Sequence, residues 1–216
     1  HIKDVIQLID EISHRPLENP LESCLRDNLS VESTDQVVLV RGDGQKVDIA
    51  HSAAPIRDSR GAIRGAVMVL HDVRHSRVMA RELSYQATHD ELTGLFNRRE
   101  FERLLRIAAD GARLDERGHA MCYLDMDQFK VINDTCGHIA GDELLRQIAA
   151  LLQGQLRSRD TLARVGGAEV AVLMEHSTLN QAARLAEKLR ATVWNFKFHW
   201  RSQRFSIGVS IGIVPV

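Results

Sequence analysis

Two aspartates close an apolar run: Met121 to Leu124 is followed by Asp125, and Asp127 lies two residues on. Alternate residues of an extended strand share a face, so both carboxylates would project to one side if the strand continued. Hard oxygen donors of this kind suit a divalent cation held against phosphate. Taken alone, the tetrad Leu124-Asp125-Met126-Asp127 reads as a polar strand end entering a solvated loop. Further on, Gly166 and Gly167 stand between two short apolar runs and are followed by Ala168, Glu169 and Val170. Consecutive glycines accept the positive φ that a tight hairpin demands. Arg157 and Asp160 fall in a polar helix-to-strand loop. Asn133 and Asp142, each taken alone, read as a turn or helix-cap residue.

The elements that must position these groups follow from hydrophobic periodicity. Helices are predicted over 98–111, 141–156 and 179–193, and strands over 120–125, 161–165, 170–174 and 205–213, an alternation that describes an α/β sheet domain. Asn133 then falls in a turn-rich segment and Asp142 opens the next helix. Upstream, Val5, Ile6, Leu8, Ile9 and Ile12 fall near helical spacing, and Pro16 and Pro20 punctuate that helix before a second short one over 20–27. Strands over 36–41, 46–54 and 62–71, joined by turns at 42–44 and 58–61, form two successive hairpins. Over 73–88, Val73, Val78, Met79, Leu83 and Ala87 share one side of a helix. Two heptads are too few to separate a connector packed on its own chain from a helix that pairs with a parallel partner.

At 216 residues, with 44% hydrophobic content, the chain has room for two units, each with a core, at least one of them incomplete. A formal net charge of -1 gives no broad basic field, so a nucleic-acid partner is not expected. Cys24, Cys122 and Cys136 form no CxxC pair and read as free thiols of a reducing cytosol. No run approaches the roughly eighteen apolar residues of a membrane span, and the first residues do not form a signal peptide, which points to a cytoplasmic location, an anchor upstream of His1 being compatible with it. The histidines form no HExxH: His89 reads as a helix-end or packing residue and His138 as structural. Trp194 and Trp200 flank the basic stretch 197–204, which reads as an edge hairpin with aromatics packed beneath it.

Together, HDELTGLFNRREF (89–101), LDMDQFKVINDTCGHIAGDE (124–143) and RVGGAEV (164–170), in this order and spacing, resemble the GGDEF diguanylate cyclase family over roughly residues 86–216. The segment DGQKVDIAHSAAPIRDSRGAIRGAVMVLHDV (43–73) resembles the C-terminal half of a PAS sensor domain, with Arg74 where that family usually carries threonine. The implied architecture is the C-terminal part of a PAS sensor over 1–72, a signalling helix over 73–88, and a GGDEF domain over 89–216. That domain is of α/β (α+β) class, nucleotide-cyclase-like, with a central, mainly antiparallel sheet flanked by helices; the family's final helix would follow Val216.

Diguanylate cyclases join two GTP molecules across a dimer with divalent cations. The resemblance makes Asp125 and the carbonyl of Met126 ligands of Mg²⁺, puts phosphate on the backbone around Gln128 and Phe129 with Lys130 nearby, and puts guanine on Asn133 and Asp142. It makes Gly166 and Gly167 the turn of the nucleotide site and Arg157 with Asp160 the inhibitory cyclic di-GMP site. It also exposes two departures: active members carry an acid where Ala168 stands and phenylalanine where Val170 stands. A methyl group cannot coordinate a cation, and Glu169, the surviving acid, faces the other way on a strand. The domain is therefore read as a catalytically degenerate cyclase that binds GTP or cyclic di-GMP and relays a sensor signal, as a homodimer through the linker helix, to a downstream EAL phosphodiesterase. A weak cyclase using Glu169, and a spacer that binds no nucleotide, are the alternatives. The sensor's own ligand is not legible, because the half that would line its cavity is missing.

Overall fold

The structure, a computed structural model, describes residues 6–33, 37–115 and 118–216. It divides into two compact units, residues 1–83 and 84–216.

The described residues of the first unit form a five-stranded sheet with helix α1 and lead into a second helix. It comprises β1 (Gln7–Asp10), α1 (Pro20–Asp27), β2 (Val31–Glu32), β3 (Val37–Val40), β4 (Lys46–Arg57) and β5 (Ile63–Asp72). The order is β1-β3-β4-β2, with β5 antiparallel along β4. Both predicted hairpins are present, turned at Gly44 and Gly61, which adopt φ of +82° and +79°. Asn19 caps α1 by accepting from the Leu21 amide, and Pro20 opens that helix. The helix expected at the start is instead β1: Leu8 and Ile9 are both buried and its backbone pairs with β3. Ile12, counted in the supposed apolar stripe, is 72% exposed. Pairing to a ready edge outweighed a weak local periodicity. Val5 and Gln36, also read as element residues, lie outside the described residues.

Helix α2 (Arg74–Thr88) follows, with no buried residue along it. The second unit then contains β6 (Phe96–Asn97), α3 (Arg98–Asp115), β7 (Ala120–Met126), α4 (Phe129–Cys136) and α5 (His138–Gln153). It continues with β8 (Thr161–Arg164), β9 (Glu169–Met174), α6 (Leu179–Asn195), β10 (Lys197–Trp200), β11 (Gln203–Ser206) and β12 (Val209–Pro215). The central sheet runs β12-β7-β9-β8-β6, antiparallel except where β6 joins β8.

Period-two alternation sorts β7 cleanly. Cys122, Leu124 and Met126 enter the main core with Leu144, Ile148, Leu152, Val172, Leu189 and Val193, while Tyr123 and Asp125 point to the other face. Each large side chain so buried contributes about 1.5–3 kcal/mol. Desolvation in that core pushes the Cys122 thiol up to about 11.

Three expectations change in this unit. A helix, α4, occupies the segment read as turns. Helix α5 starts at His138, so Asp142 lies inside it and does not open it. The single strand expected over 205–213 is broken at Ile207 and Gly208: β11 pairs with β10, whose Phe198 is fully buried, in the predicted hairpin, and β12 joins β7, while Trp194, expected to pack beneath the hairpin, is 60% exposed on α6. The break has a packing cause, since a Cβ on Gly208 would overlap the Asp127 carboxylate.

Candidate functional site

The site is built on the ends of β7 and β9. Antiparallel register sets Asp125 directly opposite Glu169 and, on its other side, Ser210. Asp125 is exposed and its carboxylate has no hydrogen-bond partner among the described residues. Asp127 is committed elsewhere: its Oδ1 accepts from the Ser210 hydroxyl at 2.8 Å and its amide donates to the Gly208 carbonyl at 3.0 Å. The two aspartates therefore do not act as the matched pair that a continuing strand would have made, because β7 ends at Met126.

Across the hairpin, the Met126 amide donates to the Ala168 carbonyl at 3.3 Å, and the Ala168 methyl packs against the main apolar core. Glu169 lies on the opposite face, the face of Asp125, yet its carboxylate folds back over Gly166, where any Cβ would overlap it. The same carboxylate is the leading influence holding the Tyr123 phenol above its usual range. A larger residue at 166 would have to push the Glu169 carboxylate aside, and neither Gly166 nor Gly167 adopts the positive φ expected of the hairpin.

The hairpin is held from behind. Arg164 donates from Nε and Nη2 to the Gly167 carbonyl at 3.2 and 2.8 Å, and from Nη1 to both oxygens of Asp90 at 3.2 Å. Asp90 also accepts from the amide and hydroxyl of Thr93 at 2.9 and 2.7 Å. Burial by itself raises the Asp90 carboxyl, but Thr93 and the Arg164 guanidinium outweigh it and hold the group below its usual value. Arg164 and Asp90 were not singled out in the sequence, although both sit inside the motif strings.

Helix α4, which carries Asn133, comes close to α5 at Gly141, the residue before Asp142: a Cβ at 141 would overlap the Asn133 amide oxygen and press on the Phe129 ring. That amide oxygen is buried without a partner among the described residues. Lys130 is exposed one turn earlier on α4, and Gln128, at φ +60°, makes the left-handed entry to that helix.

Arg157 and Asp160 form a closed loop, the Arg157 amide donating to Asp160 Oδ2 at 3.0 Å. They line a cleft of about 480 Å³ with Gln181, Arg184 and Lys188 of α6. The cationic pair at 184 and 188 was missed in the sequence; its signal is an i,i+4 spacing on one helix face.

The Mg²⁺ implied by the resemblance is tested by these donors. Asp125 offers a free carboxylate, position 168 offers none, Glu169 is folded onto Gly166, and Asp127 is bonded to Ser210. Among the described residues no group of three or more histidine, cysteine or acidic side chains could hold a metal ion. The side chains present do not fit a fully ligated Mg²⁺.

Comparison with known proteins decides the family. The family model described as diguanylate cyclase, GGDEF domain, matches residues 87–216. The chain belongs to the GGDEF diguanylate cyclase family. Residues 87–216 are thus a GGDEF domain of cyclic di-GMP signalling. The chain is 40% identical over 180 residues to the probable diguanylate cyclase DgcE of Escherichia coli K12, covering 83% of this chain and 16% of DgcE. It is 36% identical over 165 residues to the cyclic di-GMP phosphodiesterase PdeB of Shewanella oneidensis, covering 76% of this chain and 19% of PdeB. It therefore spans less than a fifth of these relatives. Among solved structures, the coiled coil and GGDEF domain of Caulobacter crescentus DgcB in complex with c-di-GMP is 30% identical, with a TM-score of 0.63, over 67% of this chain and 77% of that one.

Proposed function

We propose that this GGDEF domain is a regulatory module whose cyclase chemistry is weak or lost and whose nucleotide binding persists. GTP, with Mg²⁺ as its companion ion, is held by Asn133, Asp142, Lys130 and the backbone at Phe129, Gly166 and Gly167. Cyclic di-GMP is held by Arg157 and Asp160. The observation that carries the reading is at the hairpin: the Ala168 methyl faces the apolar core and supplies no oxygen beside Asp125 and the Met126 carbonyl, while the Glu169 carboxylate is folded over Gly166.

In the same reading, residues 1–72 are the C-terminal part of a PAS sensor of unidentified ligand, and 73–88 are a signalling helix. Val78, Met79 and Leu83, all at least half exposed, support a homodimer through that helix. The module works in the cytoplasm, where its nucleotides are, and passes its state to a downstream EAL phosphodiesterase; the likeness to PdeB supports that arrangement. No nucleic acid is involved.

Incubated with GTP and Mg²⁺, the full-length protein is expected to make cyclic di-GMP well below about 1 per second, the usual enzyme range. Wild-type turnover in the usual range overturns the reading.

The cross-strand placement of Asp125 and Glu169 supports a second reading, a slow cyclase that uses both acids. Loss of residual turnover in Glu169→Gln would favour it. Calorimetry that finds no heat with GTP or cyclic di-GMP would leave only a structural spacer.

A further inference from the structure

The chain is nearly neutral as a whole, yet no aspartate or glutamate occurs after Glu187, and the hairpin of β10 and β11 collects Lys197, His199, Arg201 and Arg204. Strand alternation divides this ribbon into two faces. Phe198 pairs with Phe205 and Trp200 with Gln203; Phe198 touches both other rings, and all three pack into the main core. The opposite face carries the pairs Lys197 with Ser206 and His199 with Arg204. The anchored rings therefore hold the basic face outward on a rigid base.

Two observations set this face apart from an ordinary solvated one. Arg201, at the tip of the turn between Trp200 and Gln203, adopts φ +52°, a left-handed conformation that favours glycine or asparagine. An arginine there costs backbone energy, so the fold itself does not call for it.

The other observation is what the side chains lack. Exposed arginines on the helices find acids, Arg103 with Glu100, Arg146 with Glu143 and Arg190 with Glu187. The side chains of His199, Arg201 and Arg204 make no hydrogen bond or ion pair among the described residues. Beside them Trp194, in the last turn of α6, leaves its side chain 60% exposed. Lys197 ties the two elements together, its Nζ donating to the Trp194 carbonyl at 3.3 Å and to Ser206 Oγ at 3.1 Å.

Unpaired cations next to a bare indole match an anionic bilayer surface, where lysine and arginine meet headgroup phosphates and tryptophan settles at headgroup depth. Single-stranded nucleic acid instead needs rings on the cationic face for its bases to stack on. Here the rings of the hairpin are turned inward. An acidic peptide would satisfy the cations but offers the indole no apolar layer to enter.

We propose that the outer face of the β10–β11 hairpin, with Trp194 at its edge, docks this domain on an anionic lipid surface through Lys197, Arg201 and Arg204.

Co-sedimentation of the full chain with lipid vesicles tests it, using phosphatidylcholine alone and phosphatidylcholine mixed with an equal part of phosphatidylglycerol. The chain is expected to sediment with the anionic vesicles, to ignore the neutral ones, and to be released at about 1 M salt, where charges are screened within about 3 Å. Arg201→Gln combined with Arg204→Gln is expected to weaken binding about twentyfold, roughly fivefold for each cation removed. Tryptophan emission should shift to the blue on binding, and Trp194→Phe should abolish that shift, because Trp200 already packs on the core. Should the double variant fold poorly, the contrast between the two vesicles and the Trp194→Phe emission still decide the matter. No binding, equal binding to both vesicles, a double variant within about twofold of wild type, or an emission that stays still overturns the proposal. Capture by polyglutamate or a single-stranded oligonucleotide without binding to vesicles overturns it too, and gives the face to another polyanion.

Discussion

At position 168 the hairpin carries a methyl group, which offers no oxygen to a cation. Ala168 could have been merely exposed; instead it packs on the core, and the acid beside it curls over Gly166. The neighbouring Asp90–Arg164 pair holds the hairpin tip through the Gly167 carbonyl. Asp90→Asn is expected to lower stability by about 1 kcal/mol, a modest figure because both side chains are partly solvent-screened. The pH dependence has a definite sign. The folded Asp90 carboxyl lies below its ordinary 3.8, so its contribution is complete above that pH and is lost as pH falls through the folded value. The stability gap between wild type and Asp90→Asn, measured by urea unfolding, should therefore close as pH drops from about 5 to about 2. A gap that stays constant would show that the pair contributes packing alone.

At the level of elements, α4 and α5 approach closely. Gly141 is the point of contact, and the Asn133 amide occupies the space a side chain would take. Gly141→Ala is expected to displace Asn133 and weaken GTP binding by about tenfold or more, as loss of a specific polar contact would give, while leaving cyclic di-GMP binding within about twofold. Calorimetry with the two nucleotides checks this; equal losses for both would point to general disruption of the helix pair. The broken strand at Gly208 follows the same logic, since a glycine there lets the chain pass beside Asp127 and brings Ser210 within 2.8 Å of its carboxylate. Asp127 is thereby removed from the cation donors that the LDMD string suggested.

For the molecule as a whole, the two compact units predict two events on heating. Calorimetric scans are expected to resolve two transitions. Cyclic di-GMP at a hundredfold excess over Kd should stabilise the unit that binds it by about 2.7 kcal/mol, raising its midpoint by roughly 10 °C. Only the transition of residues 84–216 should move, because Arg157 and Asp160 belong to that unit. Movement of the other transition, or of neither, would contradict this assignment.

Helices α3, α5 and α6, strands β7, β8 and β9, the sheet class and the alanine at 168 were legible in the chain, because periodicity is a local property and a residue's chemistry is read from its identity. The strand at 7–10, helix α4, the break at Gly208, the Arg164 bridge from Asp90 to the hairpin and the gathering of Arg184 and Lys188 beside Arg157 were decided only in three dimensions. Each depends on a partner distant in sequence: a sheet edge that accepts backbone bonds, a carboxylate that excludes a Cβ, a guanidinium that reaches across 74 positions. Local preference can name the groups able to hold a nucleotide, but which of them remain free to do so is settled by what folding places against them.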